Sequence, residues 1–287
     1  MSFEIVDGGF ISTVQDKGRW GVQDQGIPVS GCMDVASANM ANAILGNDPS
    51  YPLLEMCMKG VTLIAHISFS AAFYGADMEI KVNNELTSQG KTIALNPGDQ
   101  LKIGFAKKGV YGYLAFKGVL DIPKVYNSSS TYLPAKFGGY LGRKLQKGDR
   151  ITLLCPEQIP TRHSVIKARN ISSENLLECF VGPEWNLLTD QQKQKVINSE
   201  FTISKDINRI GYRLESEKIE LGNQKEIISS GMVKGTVQLT SGGDLIIMMA
   251  DAPTTGGYLR ILNLNSKTCD SLAQMNTGGK VRFNIIN

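Results

Sequence analysis

Thirty glycines are spread along this 287-residue chain, and they fall between short runs rich in Val, Ile, Leu, Phe and Tyr. Examples are GVTLIAHISFSAAFYG, QLKIGFAKKGVYGYLAFKG, DRITLLC and DLIIMMAD. Runs this short, closed so often by turn residues, are too brief for buried helices. Their spacing predicts a sandwich or barrel rather than βαβ units. One local unit recurs. LNPGDQLKIG turns at Gly98-Asp99, LQKGDRITLL at Gly148-Asp149, and MNTGGKVRF at Gly278-Gly279. Each reads as a tight turn launching a strand, because Gly and Asp tolerate the positive φ such turns need.

Helices are few. Asp34 is placed to cap a helix over Val35 to Leu45, ended by Gly46 with Pro49 beyond. Thr189 is placed to cap a second in TDQQKQKVIN, and TCDSLAQM suits a short third. The fold class is therefore mainly β with a few short helices. The polar stretch from Pro156 to Pro183 reads as irregular, and it suggests a boundary between β-rich subdomains of residues 1–165 and 166–287, with exchange of elements between the halves left open.

Composition narrows the function. At 42% hydrophobic residues the chain can bury a substantial core, and a net charge of +3 with no basic block argues against nucleic acid or an anionic membrane as partner. Five cysteines (Cys32, Cys57, Cys155, Cys179, Cys269) form no CxxC, so they read as buried thiols in a reducing compartment. Two histidines, His66 and His163, are too few for a multi-histidine metal centre, and no metal site is expected. MSFEIVDGGF lacks the apolar core of a signal peptide, and no apolar run approaches the ~20 residues of a membrane-spanning helix. The expectation is a soluble, cytoplasmic protein. GxxxxGK[ST], GxSxG, HExxH and EF-hand patterns are absent from the sequence, so standard motifs give no mechanism.

Four clusters concentrate polar groups. The loop from Gln15 to Asp34 places Asp16 three residues before Arg19, a spacing that suits an ion pair. Asn127 to Leu145 offers hydroxyls, Gly138-Gly139 and Arg143 for an anion or amide pocket, or else a turn-rich crossover. In NRIGYRLE a strand would put Arg209 and Arg213 on one face, where two guanidinium forks suit a carboxylate or phosphate; the plainer reading is a solvated strand face. In ADAPTTGGYLRI, Asp251 ends an apolar run before Thr254, Thr255, Gly256 and Gly257. That loop suits either a site with accessible backbone N–H groups or a hairpin turn.

In this order, the clusters resemble the KipA-like, or allophanate hydrolase subunit 2-like, family of biotin-dependent carboxyltransferase domains. The matching strings are TVQDKGRWGVQDQGIPVSGCMDVASANMANAILGN, LLE at Leu53 to Glu55, YLAFKGVLDIPKVYNSSSTYLPAKFGGYLGRKLQKGD, NRIGYRLE, and GTVQLTSGGDLIIMMADAPTTGGYLRI followed by LAQMNTGGKVRF. The resemblance implies two cyclophilin-like, β-barrel-like subdomains. It implies one subunit of an ATP-dependent 5-oxoprolinase that opens 5-oxoproline to glutamate, with ATP bound in the assembled complex. The implied partners are a KipI-like subunit, a third subunit of the lactam-hydrolase type, and a small amide or lactam substrate. The alternatives are a carboxyltransferase acting on urea or a related amide, with biotin arriving on a separate carrier, and a non-catalytic regulator binding a KipI-like kinase inhibitor. Carried over position by position, the resemblance implies Asp16, Arg19, Asp34, Glu55 and Asp251 as catalytic candidates. Gln238, Thr255, Gly257, Tyr258, Arg209, Arg213 and Arg143 are candidates for substrate binding, and Met33 and Asn42 also match. The chain departs from the family pattern at Val119, at Leu239-Thr240, at Leu259 and at Ser129, which stands where an arginine is typical.

Overall fold

The computed structural model describes residues 1–159, 166–167, 175–222 and 227–286. The chain divides into two compact units, Met1–Arg19 with Ser30–Ile171, and Trp20–Val29 with Ser172–Asn287. The expected boundary at 165/166 and His163 fall in a stretch where 160–165 and 168–174 lie outside the described residues. The C-terminal part of the segment read as irregular is instead a strand, Leu176–Val181.

The first unit holds β1 (Phe3–Asp7), β2 (Ile11–Gln15), α1 (Val35–Ile44), β3 (Leu53–Cys57), β4 (Thr62–Ala65), β5 (Phe69–Val82), β6 (Glu85–Thr87), β7 (Thr92–Leu95), β8 (Gln100–Phe116), β9 (Val119–Leu120), β10 (Arg150–Ile151) and β11 (Leu153–Leu154). Nine strands form one antiparallel sheet in the order β10-β1-β4-β8-β3-β2, with β5 pairing β8, β6 and β7; β9 and β11 pair separately. The long β8 serves three neighbours, pairing β4 through Gln100–Lys102 and β3 through Tyr111–Leu114, with β5 along most of its length. Its core is aromatic: the rings of Phe3 and Phe116 stack at 4.8 Å, with Phe69 at 5.9 Å from each. Burying one such ring contributes about 1.5–3 kcal/mol.

The second unit holds β12 (Leu176–Val181), α2 (Asp190–Asn198), β13 (Phe201–Ile207), β14 (Gly211–Glu215), β15 (Ser230–Gly231), β16 (Thr236–Leu239), β17 (Leu245–Met248), β18 (Thr255–Gly256), β19 (Leu259–Leu264), α3 (Ser266–Ala273) and β20 (Lys280–Ile285). Seven strands close a barrel, β12-β19-β16-β17-β14-β13-β20. Alternation fills it: Val237 and Leu239 of β16, Leu245 and Ile247 of β17, and Tyr212 and Leu214 of β14 are all at most 1% exposed. The pairing of β12 with β20 is parallel, and the other pairings of the barrel are antiparallel.

Local chemistry explains the elements. Asp34 caps α1, its Oδ1 accepting from the Ser37 N–H at 3.0 Å, and Gly46 follows at φ 64°. Thr189 and Gln192 form a reciprocal capping box on α2. The third helix starts at Ser266, two residues before the predicted start, because the Asn265 side chain accepts from the Thr268 N–H at 2.8 Å. The three recurring turns adopt positive φ at Gly98, Gly148 and Gly278, and lead into β8, β10 and β20. Asp99 and Asp149 close the first two by accepting from the N–H groups of Asn96 (2.7 Å) and Gln146 (2.8 Å).

Candidate functional site

In the first unit the chain leaves β2 at Asp16, whose carboxylate accepts four hydrogen bonds. The donors are Gly18 N at 2.8 Å, Ser128 Oγ at 2.7 Å, Ser130 Oγ at 2.5 Å and Ser129 N at 2.6 Å. Arg19 is fully buried; it donates to the carbonyls of Ser130 and Val125, and its guanidinium lies 4.8 Å from the Phe137 ring centroid. The surface ion pair suggested by spacing is thus replaced by a buried clamp, in which both residues grip Val125–Ser130. Four donors around one carboxylate hold it fixed. Ser129, at the family's arginine position, is 1% exposed and turns its Oγ to the Ile122 carbonyl at 3.4 Å.

A second carboxylate, Glu55 on β3, lies opposite Tyr113 on β8. The Tyr113 hydroxyl donates to Glu55 Oε2 at 2.9 Å and accepts from the Asp34 N–H at 2.7 Å, while the Met33 N–H donates to the same Oε2 at 2.7 Å. Asp34 turns its carboxylate to Ser37, receiving the N–H at 3.0 Å and the hydroxyl at 2.7 Å. Burial pushes the Tyr113 phenol well above its ordinary value, and the charges of Glu55 and Asp34 add to the shift, so it stays a donor at neutral pH. Sequence reasoning misses Tyr113. The cue is the alternation in VYGYLAF, which puts Tyr113 on a buried face, but its partner Glu55 is 58 positions away. Tyr113→Phe should cost about 1–3 kcal/mol in a urea titration, because the Asp34 N–H and Glu55 Oε2 each lose a hydrogen bond in a dry site. A midpoint equal to wild type would sink that expectation.

A cleft of about 220 Å³, counting its open mouth, opens beside Asp16; it is lined by Asp16, Lys17, Cys32, Asn39 and Tyr51 among others. Asn42 also borders it, but its amide is spent on the Tyr51 carbonyl (3.0 Å) and the Asn47 side chain (3.1 Å), bracing the end of α1. Arg143 does not line an anion pocket. Both arms of its fork bind Asp149 at 2.7 Å, and that hydrogen-bonded pairing raises its pKa. It braces the Gly148-Asp149 turn.

In the second unit the expectation of a shared arginine face fails. Arg209 lies in a bend before β14, where Asn208 Oδ1 accepts from the Ile210 N–H at 2.7 Å; only Arg213 is on the strand. Arg209 binds Asp251 through Nε–Oδ2 and Nη2–Oδ1 contacts of 2.9 Å each, with both residues buried. Arg213 pairs with Asp244 at 3.2 Å and Asp206 at 3.9 Å. Gly256 and Gly257 do not have positive φ. A Cβ at Gly256 would lie 2.6 Å from Gln238 Nε2 and 2.8 Å from Met232 Sδ, the ends of two flexible side chains. Gln238 on β16 is 4% exposed, and its Nε2 has no hydrogen-bond partner among the described residues. Thr255 is exposed in the β15–β18 pair, with Gly257 and Tyr258 half-buried after it.

A closed barrel in one unit, a nine-stranded antiparallel sheet in the other, and buried carboxylates held by backbone and hydroxyl donors define a two-unit β-protein of the carboxyltransferase-domain type. The chain belongs to the family described as carboxyltransferase domain, subdomain A and B, whose model matches residues 25–285. It is 30% identical over 283 residues to the C subunit of 5-oxoprolinase from Escherichia coli K12, covering 98% of this chain and 90% of that protein. It is 27% identical to the urea amidolyase of Lachancea kluyveri, of which it spans 17%. The crystal structure of TTHA0988 superposes with a TM-score of 0.89 at 26% identity, over 99% of this chain and 55% of that one. Among the described residues, no helix is long and apolar enough to cross a membrane.

Proposed function

We propose that this chain is one subunit of a multi-subunit, ATP-dependent 5-oxoprolinase, which opens 5-oxoproline to glutamate together with a KipI-like subunit and a lactam-hydrolase-type subunit. The observation that carries this reading is the nearly end-to-end similarity to the 5-oxoprolinase C subunit of Escherichia coli, at 90% of that protein's length. The five cysteines are free thiols, which suits the reducing cytoplasm. In this reading, within the first unit Asp16 lines the cleft, Arg19 and Asp34 fix nearby backbone, and Glu55 with Tyr113 supplies a buried carboxylate and a hydroxyl; separately, in the second unit, Gln238 offers an amide donor to a carbonyl or carboxylate. The charge that develops as an amide bond opens is stabilised most by donors fixed in advance. ATP belongs to the assembled complex.

The second reading is a carboxyltransferase acting on urea or a related amide, with biotin carried on another protein. The family model and the urea amidolyase relative favour it. The test is reconstitution. The isolated chain is expected to show no 5-oxoproline-dependent ATP hydrolysis, and the three subunits together to show it. Full activity from the chain alone would contradict the proposal. A reconstituted mixture that instead consumes carboxybiotin in the presence of urea would establish the second reading.

A further inference from the structure

Four large apolar side chains stand in solvent at one place on the first unit. Phe10 is 52% exposed and Phe105 59%, and their rings meet edge-to-face at 5.6 Å. Ile11 follows Phe10 in the chain, and Met58 precedes Lys59, which faces Phe105 across an isolated antiparallel bridge. Both are more than a third exposed. The patch is built into the backbone. The Phe10 N–H donates to the Lys59 carbonyl at 3.3 Å, and the Ala106 N–H to the Met58 carbonyl at 2.8 Å. Met58 holds φ 61°, a left-handed conformation that is unfavourable for a non-glycine residue. Solvent does not offset that cost or favour an aromatic pair left in water, whereas a covering surface does.

The rim indicates what covers it. Lys59 Nζ lies 5.7 Å from the Phe105 ring centroid and pairs with Asp7 at 2.7 Å. Lys144 Nζ donates to the Phe10 carbonyl at 3.2 Å, and Lys107 stands two residues beyond Phe105. Lys107 and Lys144 are exposed, and neither makes an ion pair among the described residues. An apolar centre with a positive rim fits a polypeptide face that is apolar within and carboxylate-rimmed without. A second copy fits badly, because a two-fold contact through this patch would set lysines against lysines. Further polypeptide is what TTHA0988 carries, since the chain spans 55% of its length. We infer that the Phe10–Phe105 face is the surface on which the KipI-like partner subunit docks, through an apolar patch bordered by Asp and Glu. This rests on the proposed assembly.

Titration calorimetry of the full chain against the purified KipI-like subunit tests it. The variant with Phe10→Ser and Phe105→Ser is expected to bind at least tenfold more weakly, with an unchanged circular dichroism spectrum. The variant with Lys107→Glu and Lys144→Glu is expected to bind more weakly and to lose most of the wild-type salt dependence. If the serine variant melts early, Phe105→Ser alone and the charge reversal carry the test. Binding within twofold of wild type in both variants would overturn the inference while leaving the assembly intact. No binding by the wild-type chain would overturn the assembly and, with it, this surface. Wild-type self-association abolished by the serine changes, with partner binding intact, would assign the face to a second copy and also overturn the inference.

Discussion

Asp251→Ala is expected to lower the unfolding free energy by about 3–5 kcal/mol, a large share of the roughly 5–15 kcal/mol available to a typical domain. The reason is what it leaves behind. The Arg209 guanidinium is 8% exposed, and Asp251 neutralises it through two contacts of 2.9 Å. The backbone ties the same two residues together, with the Asp251 N–H donating to the Arg209 carbonyl at 2.8 Å. Removing the carboxylate leaves a buried charge without these two contacts. Removing both charges does not: Arg209→Met with Asp251→Leu should recover most of the loss, since well-packed apolar replacements of buried pairs are often neutral or stabilising. Arg209→Lys should fall between, because an ammonium cannot reproduce the fork. Arg213→Lys should move stability by no more than about 1 kcal/mol, as expected for a pair whose arginine side chain is 40% exposed. Urea titrations of the four variants separate these outcomes. Should Asp251→Ala melt like wild type while activity per folded molecule collapses, the residue acts in the chemistry and the structural account is wrong.

The same pair shows which parts of this protein can be read from its sequence. Asp34, Thr189 and Gly46 are legible because capping is local: donor and acceptor lie within three or four residues. The Gly-Asp turns are legible for the same reason. Arg143 with Asp149 also lies within reach, six residues apart on a recognisable turn, yet nothing in the spacing marks the arginine as a brace rather than a free anion-binding group. The partners that decide the other charged residues are remote. Asp16 meets serines more than 110 positions away, Glu55 meets Tyr113 across 58 and Arg209 meets Asp251 across 42. Strand register brings Glu55 to Tyr113, and an alternating pattern reports a residue's face without naming what stands opposite. The family resemblance supplies the set of site residues but not their pairings, so it does not show that Arg209 and Arg143 already have their anions. Nor does hydrophobic pattern show that Trp20–Val29 belongs to the second unit.

Gln238→Leu is expected to raise KM for the substrate by roughly 5–150-fold in the reconstituted complex, equivalent to about 1–3 kcal/mol of lost binding. The protein should meanwhile be as stable as wild type, or up to about 1 kcal/mol more so. The two expectations come from one observation. A side-chain amide that is 4% exposed keeps an Nε2 with no hydrogen-bond partner among the described residues. Leaving such a donor unmet is destabilising, and leucine of similar volume removes the penalty along with the group. Val237 and Leu239, its neighbours on β16, point into the barrel, so Gln238 faces outward beneath Gly256, where a Cβ would sit 2.6 Å from the amide nitrogen. A buried donor left unmet at a cost to stability fits a group that serves a ligand. Under the proposed function, a carbonyl or carboxylate oxygen of an amide or lactam would supply the missing acceptor. Gln238→Glu discriminates further, because the new carboxylate would face that oxygen with no proton to donate, and KM should rise at least as far as for leucine. Thermal melts with kinetics per folded molecule read both quantities on one sample. If Gln238→Leu loses stability and keeps wild-type KM, the amide serves packing under Gly256, and the substrate is held elsewhere.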